Sequence, residues 1–172
     1  MRKSWNGILK IVEATISREN KVIWKNENLY NLLHSEGEEL ILQTLFYNDG
    51  TLPPSYYYLG LDNRTTIAYA DTMATLIDEP SGSGYTRQQL SSSSTGTSGW
   101  TVTVGTSLHK AVSNIVSFNA TGSYGPVRTL FLTDASDNSG KLISSVSLSS
   151  PATLSSGDVL SVRMTLSLKD CP

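Results

Sequence analysis

The sequence contains few of the residue types on which catalytic and metal sites are usually built. Only 16% of its 172 residues are charged, and there are two histidines and one cysteine. Cys171 cannot form an internal disulfide or half of a metal site, so a disulfide-stabilised scaffold is excluded. His34 and His109 lie far apart and have no Cys or His at ligand spacing. We therefore expect neither a catalytic nor a metal site, and no cofactor.

Long apolar runs and an excess of basic charge are also missing. No segment approaches the ~20 apolar residues of a membrane span. The basic N-terminus leads into residues 5–13, which Asn6, Lys10 and Glu13 interrupt, unlike the continuous apolar core of a signal peptide. The net charge of −2 does not suit a general nucleic-acid binder. These features predict folding in a cytoplasm, with neither membrane nor nucleic acid as partner.

Alternation of apolar and small polar residues dominates the C-terminal third. Leu160, Val162, Met164, Leu166 and Leu168 alternate with polar residues, and 142–148 has the same period. Such a pattern indicates strands with one buried and one solvated face, which is typical of antiparallel sheets. We expect these two strands to pair with each other. With strands at short, regular spacing, the chain is predicted to be mainly β: a single domain over 1–172, an antiparallel, jelly-roll-like β-sandwich.

The N-terminal half adds a hairpin and a helix. Residues 7–17 and 22–24 are predicted to pair across a polar turn, and Met1 to Asn6 to form an N-terminal arm. Ser35 to Tyr47 reads as a helix, with Ser35 and Glu38 as a capping box, packed at an edge or end of the sandwich. We also expect a strand from Tyr56, a short helix at 71–77, a strand over 85–90 and a turn at 124–126.

Three tyrosines, one arginine and one acidic turn remain as site candidates. Tyr57 is expected on one face of its strand and Tyr56 and Tyr58 on the other, either as core and edge or as a binding platform. Arg87 stands in an otherwise uncharged segment, which suggests a salt bridge to Asp71 or Asp78, or a subunit contact. Residues 134–140 resemble part of a calcium loop but lack its distal carboxylate, so an ordinary turn is favoured.

Several stretches together resemble small structural proteins of tailed bacteriophages. They are 58–61 (YLGL), followed by 71–72 (DT) and 84–88 (GYTRQ); the helical 33–38 (LHSEGE) to Phe46; and 140–143 (GKLI) with 152–160 (ATLSSGDVL) before the last strand. The resemblance covers most of the chain from about Leu29. It implies a β-rich virion component that assembles with other virion proteins, without an active site.

The first hypothesis is therefore a capsid decoration (cement) protein of the virion that clamps neighbouring major capsid subunits. The second is a tail, adaptor or fibre-associated virion protein. A third, from another class, is a carbohydrate-binding module using Tyr56, Tyr57, Tyr58, Trp100 or Tyr124. An enzyme ranks last. We expect a homo-oligomer assembled in the host cytoplasm. The predicted contact elements are the arm to Trp5, the loop 91–99, Tyr56, Tyr57 and Arg87.

Overall fold

The protein is a sandwich of two antiparallel sheets with one helix. The structure, a computed structural model, describes residues 5–46, 53–75, 78–92, 99–103 and 109–170, with only the backbone for 5–12, 109 and 167–170. The described elements are, in chain order, β1 (Trp5–Arg18), β2 (Lys21–Tyr30), β3 (Leu32–Leu33), α1 (Ser35–Phe46), β4 (Tyr56–Asp62), β5 (Gln88–Ser91), β6 (Trp100–Thr103), β7 (His109–Ser113), β8 (Val116–Asn119), β9 (Tyr124–Thr133), β10 (Leu142–Leu154) and β11 (Val159–Asp170).

The first sheet has the strand order β2-β1-β11-β7-β6, and β8 also pairs with β11, along the N-terminal part of that strand. The second sheet has the order β3-β10-β9-β4-β5. All pairs are antiparallel. The sandwich class predicted from alternation is thus confirmed. Apolar side chains from both sheets are fully buried between them, among them Ile16, Leu59, Leu61, Leu90, Phe118, Leu130, Leu154 and Leu160.

The predicted pairing of the last two strands is wrong. β10 pairs with β9 and β3, while β11 pairs with β1, β7 and β8, so the two strands lie in opposite sheets. Alternation determines which face of a strand is buried but does not specify its neighbour. The turn between them is tied down by Asp158, which accepts hydrogen bonds from Ser155 N (2.8 Å) and from the Arg18 guanidinium (2.6 and 2.9 Å). The Arg18 hydrogen bonds lower the pKa of Asp158.

The β1–β2 hairpin is confirmed and is longer than predicted. Glu19 and Asn20 both have positive φ, 49° and 63°, as a turn that matches the twist of its strands requires. Trp5 and Asn6, the last residues of the predicted arm, are strand residues paired with Asp170 and Lys169. Residues 1–4 lie outside the described part.

The segment between β4 and β5 covers the outer face of the second sheet. Met73 and Ile67 from this segment pack on Phe131 and Leu142. A Cβ at Gly60 would overlap the Phe131 ring, so only glycine lets that ring lie flat on β4. Of the predicted 71–77 helix, the described residues form only a turn at 73–75, in which Met73 is buried.

Two further predictions differ from the structure. The predicted 85–90 strand is shorter, since β5 spans Gln88–Ser91, and the predicted turn at 124–126 is instead the start of β9.

Candidate interaction surface

Helix α1 begins at Ser35 as predicted, but its N-cap differs from the prediction, and the predicted last residue, Tyr47, lies outside the described residues. The amide of Glu38 donates to the carbonyl of His34 (3.0 Å), so His34 and not Ser35 occupies the N-cap. The Glu38 carboxylate accepts from the Tyr69 hydroxyl (2.8 Å) instead of closing a capping box. The predicted capping box between Ser35 and Glu38 therefore does not form, because the N-cap lies one residue earlier and the Glu38 carboxylate bonds to Tyr69 in the β4–β5 segment.

His34 fixes this helix start in the interior. Its side chain is fully buried, with Nε2 2.8 Å from Ser145 Oγ and Nδ1 3.3 Å from the carbonyl of Tyr69. The carbonyl can only accept, so Nδ1 carries the proton and Nε2 accepts from the serine. Burial lowers the pKa of His34, which is therefore neutral at pH 7. The histidine joins α1, β10 and the β4–β5 segment, and this arrangement is structural.

The next turns of α1 form one wall of an apolar groove. Gly37 lies so close to β10 that a Cβ there would overlap the carbonyl oxygen of Ile143, which brings the helix against the sheet. The groove has a volume of about 400 Å³. It is lined by both sheets and by α1, through Leu33, Leu40, Ile41, Thr44, Leu45, Tyr57, Ser92, Trp100, Val102, Ala111, Leu132, Ile143, Ser144 and Leu166. None of these side chains is charged.

The groove opens onto exposed apolar side chains. Leu45 and Val102, which line it, are 62% and 68% exposed. On the same helix, Leu42 is 57% and Phe46 is 80% exposed. Leu42 and Phe46 lie one helical turn apart and share a face, and Leu45 adjoins both. Groove and helix face together form what we call the α1 surface, and a contiguous apolar surface of this kind is typical of an interaction site.

Two polar groups in the groove wall have no hydrogen-bond partner among the described residues. They are the Oγ of Ser144, a residue that is 1% exposed, and the indole Nε1 of Trp100. Buried polar groups in folded proteins are nearly always paired, so each such exception requires an explanation. Both groups can donate a hydrogen bond. The groove therefore has apolar walls, and both of these donors are buried within them.

Arg87, in contrast, has every donor satisfied. Its Nε and Nη2 donate to both oxygens of Glu79 (2.9 and 2.8 Å), and its remaining N–H groups reach the carbonyls of Ala135 and Asp137 and the side chain of Asn138. The predicted partners, Asp71 and Asp78, are therefore wrong. Asp71 instead pairs with Arg64 at 3.5 Å.

The Arg87 side chain is only 5% exposed, and the guanidinium carbon lies 5.3 Å from the centre of the Phe131 ring. Tyr85 donates to Glu79 and accepts from Leu61 N (2.9 Å), and burial raises the pKa of its hydroxyl. These contacts join the β4–β5 segment to the turn at 134–140. They favour a structural role for Arg87 over a subunit contact.

The other predicted contact residues are distributed over the molecule. Tyr57 packs on the core and lines the groove, whereas Tyr56 is 47% exposed at the start of β4. Trp5 begins β1, and its side chain lies outside the described part, as do residues 93–98 of the predicted contact loop. Tyr124 is buried. The aromatics considered for sugar stacking therefore do not form one exposed platform.

The residues that sequence reasoning missed are Leu45, Val102 and Ser144. Ser144 did carry a signal, since it is a serine in the apolar register of 142–148.

The turn at 134–140 is held by Asx-type hydrogen bonds, with Asp137 accepting from Ser139 N at 2.9 Å. The described residues contain no group of three potential metal ligands, and none of their helices is long and apolar enough to cross a membrane.

Comparison with known proteins decides the family. A family model described as "Podophage GP4 fiber I protein gp80" matches residues 33–167. The chain belongs to this family. It is therefore a structural component of a phage virion, where it contacts other virion proteins. The match begins at β3 and ends within β11, so it includes α1 and every element that lines the groove. No curated protein matches the chain significantly.

Proposed function

We propose that this protein is a fibre or other tail-associated component of a podophage virion, and that it acts by binding other virion proteins and not by catalysis. The observation that carries the proposal is the fibre family model, which matches residues 33–167. It favours the second sequence hypothesis over the first, decoration of the capsid.

The α1 surface supports a binding role. Its exposed leucines, valine and phenylalanine surround a groove without charged side chains, and two buried polar groups in the groove wall have no partner in the described part of the chain. An enzyme site instead needs titratable groups that converge on a cleft. In the polar cleft beside Arg87, the guanidinium and the Glu79 carboxylate are instead hydrogen-bonded within the chain itself.

The test is to locate the chain in purified particles. Heads and tails separated on a gradient are probed with an antibody against the protein, and the copy number per particle is measured by quantitative mass spectrometry. We expect the chain in the tail fraction, in a number fixed by the tail symmetry. Recovery with the heads, in the many copies that a repeating shell needs, would instead support the decoration hypothesis. Absence from intact particles would contradict both.

A further inference from the structure

We propose that β2 pairs edge to edge with β2 of a second copy of this chain, in an antiparallel register centred on Asn26. The first sheet would then continue from one sandwich into the other. This pairing goes beyond the proposed function and does not depend on it, because a monomeric chain could equally be a tail component. It does not draw on the family match either, since β2 precedes the matched residues 33–167.

Strand β2 forms the outer edge of the first sheet. Among the described elements, β1 is its one strand neighbour. β2 has ten residues, whereas the other described strands with a single neighbour, β3, β5, β6 and β8, have two or four. The free edge of a strand presents a row of backbone N–H and C=O groups to which a further strand can pair. β2 is therefore the long pairing edge of the described molecule.

Exposed apolar side chains lie on the same strand. Val22, Ile23 and Tyr30 are 61%, 51% and 71% exposed, and an added strand would cover part of each. Lysines often protect a free edge from pairing. The ammonium group of Lys25, however, lies 2.7 Å from the Glu27 carboxylate and 3.7 Å from that of Glu13, so its charge is already partly compensated within the chain.

The charges of β2 select both the partner and the register. A twofold axis at Asn26, perpendicular to the sheet, places Lys25 of each copy opposite Glu27 of the other. An axis at Lys25 would instead place two lysines face to face, and an axis at Glu27 two glutamates. Directly facing residues of opposite charge stabilise a sheet, and like charges destabilise it. Of these three registers, the one centred on Asn26 is therefore favoured.

The same register also matches the apolar residues. It places Val22 opposite Tyr30 and Ile23 opposite Leu29, and aromatic and β-branched side chains are favourable cross-strand partners. The central residues, Trp24 to Glu27, keep a single register with β1, so this part of the edge is regular. β2 is therefore complementary to itself, as a closed contact between two identical copies requires.

The test reverses the two charges separately. Self-association of the full chain is measured by sedimentation equilibrium from about 1 to about 100 µM, in about 0.15 M salt, which screens distant charges. We expect the wild type to associate in this range. Lys25→Glu and Glu27→Lys should each weaken association at least about tenfold, because each makes both facing pairs repulsive.

An equal mixture of these two variants distinguishes a facing pair from a general loss of binding. In the mixed pair, the two introduced charges face each other with opposite sign, and so do the two native ones. Association should therefore return to within about threefold of the wild type. The matched control is Lys21→Glu, which changes the net charge as Lys25→Glu does. Lys21 is exposed on the same strand and would face the uncharged Asn31, so this variant should associate as the wild type does.

Folding is checked by thermal melting at dilute concentration. Lys25 and Glu27 are about half exposed, and exposed ion pairs contribute little, so the variants should melt close to the wild type. Four results would overturn the pairing: a wild type that stays monomeric, association that neither charge reversal weakens, a mixture that does not recover, or equal loss in Lys21→Glu and Lys25→Glu. None of them bears on the proposed tail location, which is measured in purified particles.

Discussion

The groove beside α1 and the cleft at Arg87 have nearly the same volume, about 400 and 430 Å³, but they differ in how their polar groups are satisfied. At Arg87, all five N–H donors of a nearly buried guanidinium are bonded within the chain. In the groove wall, Trp100 Nε1 and Ser144 Oγ have no hydrogen-bond partner within the described ranges. Hydrogen-bond satisfaction, more than cavity size, therefore distinguishes the cleft that holds the fold together from the groove that we propose as a binding surface.

The largest effect is expected from replacing Arg87, whose N–H donors are all hydrogen-bonded within the chain. Arg87→Leu should lower the free energy of unfolding by about 3 kcal/mol or more, because it leaves the mostly buried Glu79 carboxylate and several carbonyls without their donor. Urea denaturation measures the change. The matched control is Arg163→Leu, at an exposed position on β11, which should change stability by less than about 0.5 kcal/mol. Equal effects at the two arginines would show that the hydrogen bonds of Arg87 do not stabilise the fold more than an exposed arginine does.

The two sites also differ in how far sequence could predict them. An arginine in an uncharged segment signalled a buried charge, but its partner depended on how the β4–β5 segment folds over the second sheet, and Glu79 was not anticipated. Sandwich class, hairpin and helix followed from local periodicity, and the helix begins at the predicted Ser35. Sheet membership of β10 and β11 did not, because the period of a strand carries no information about its neighbour.

The groove was harder to predict because it is made by tertiary contacts. Tyr57 and Trp100 were singled out for their aromatic rings, whereas their meeting beside α1 depends on the sandwich as a whole. Ser144 occupies the apolar register of 142–148, and a register shift between Leu142 and Ser144 turns these two residues to opposite faces of β10. A serine at such a position is a weak sequence signal that only the structure explains.

His34 lies next to the groove, and both nitrogens of its titratable imidazole have hydrogen-bond partners. Because burial holds its folded-state pKa below the ordinary 6.5, the unfolded chain binds the proton more readily. Stability should therefore be full above about pH 6.5 and fall as the pH drops below it, by at most about 1.4 kcal/mol per pH unit. Glu36 and Asp71 lie nearby and moderate the shift.

The measurement is urea denaturation at intervals from about pH 7.5 to about pH 5.5, combined with NMR titration of the two histidine rings. His34→Gln should flatten the slope, and His109→Gln provides the matched control. A slope unchanged by His34→Gln, or a His34 ring that titrates at its ordinary pKa, would show that the buried imidazole is not held neutral.

The smallest effects come from two neighbouring buried serines, which sharpen the comparison most directly. Ser145 Oγ is bonded to His34 Nε2, whereas Ser144 Oγ has no partner among the described residues. Ser145→Ala should therefore cost about 1 kcal/mol in the free energy of unfolding, because it leaves the imidazole nitrogen unpaired. Ser144→Ala should be neutral or slightly stabilising in the monomer, because it removes a hydroxyl that was buried without compensation. Both changes delete one oxygen from the same strand, so urea denaturation at dilute concentration isolates the hydrogen bond. If Ser144→Ala proved as costly as Ser145→Ala, the hydroxyl of Ser144 would already be satisfied within one chain, and the groove would lose one of the two donors that distinguish it from the Arg87 cleft.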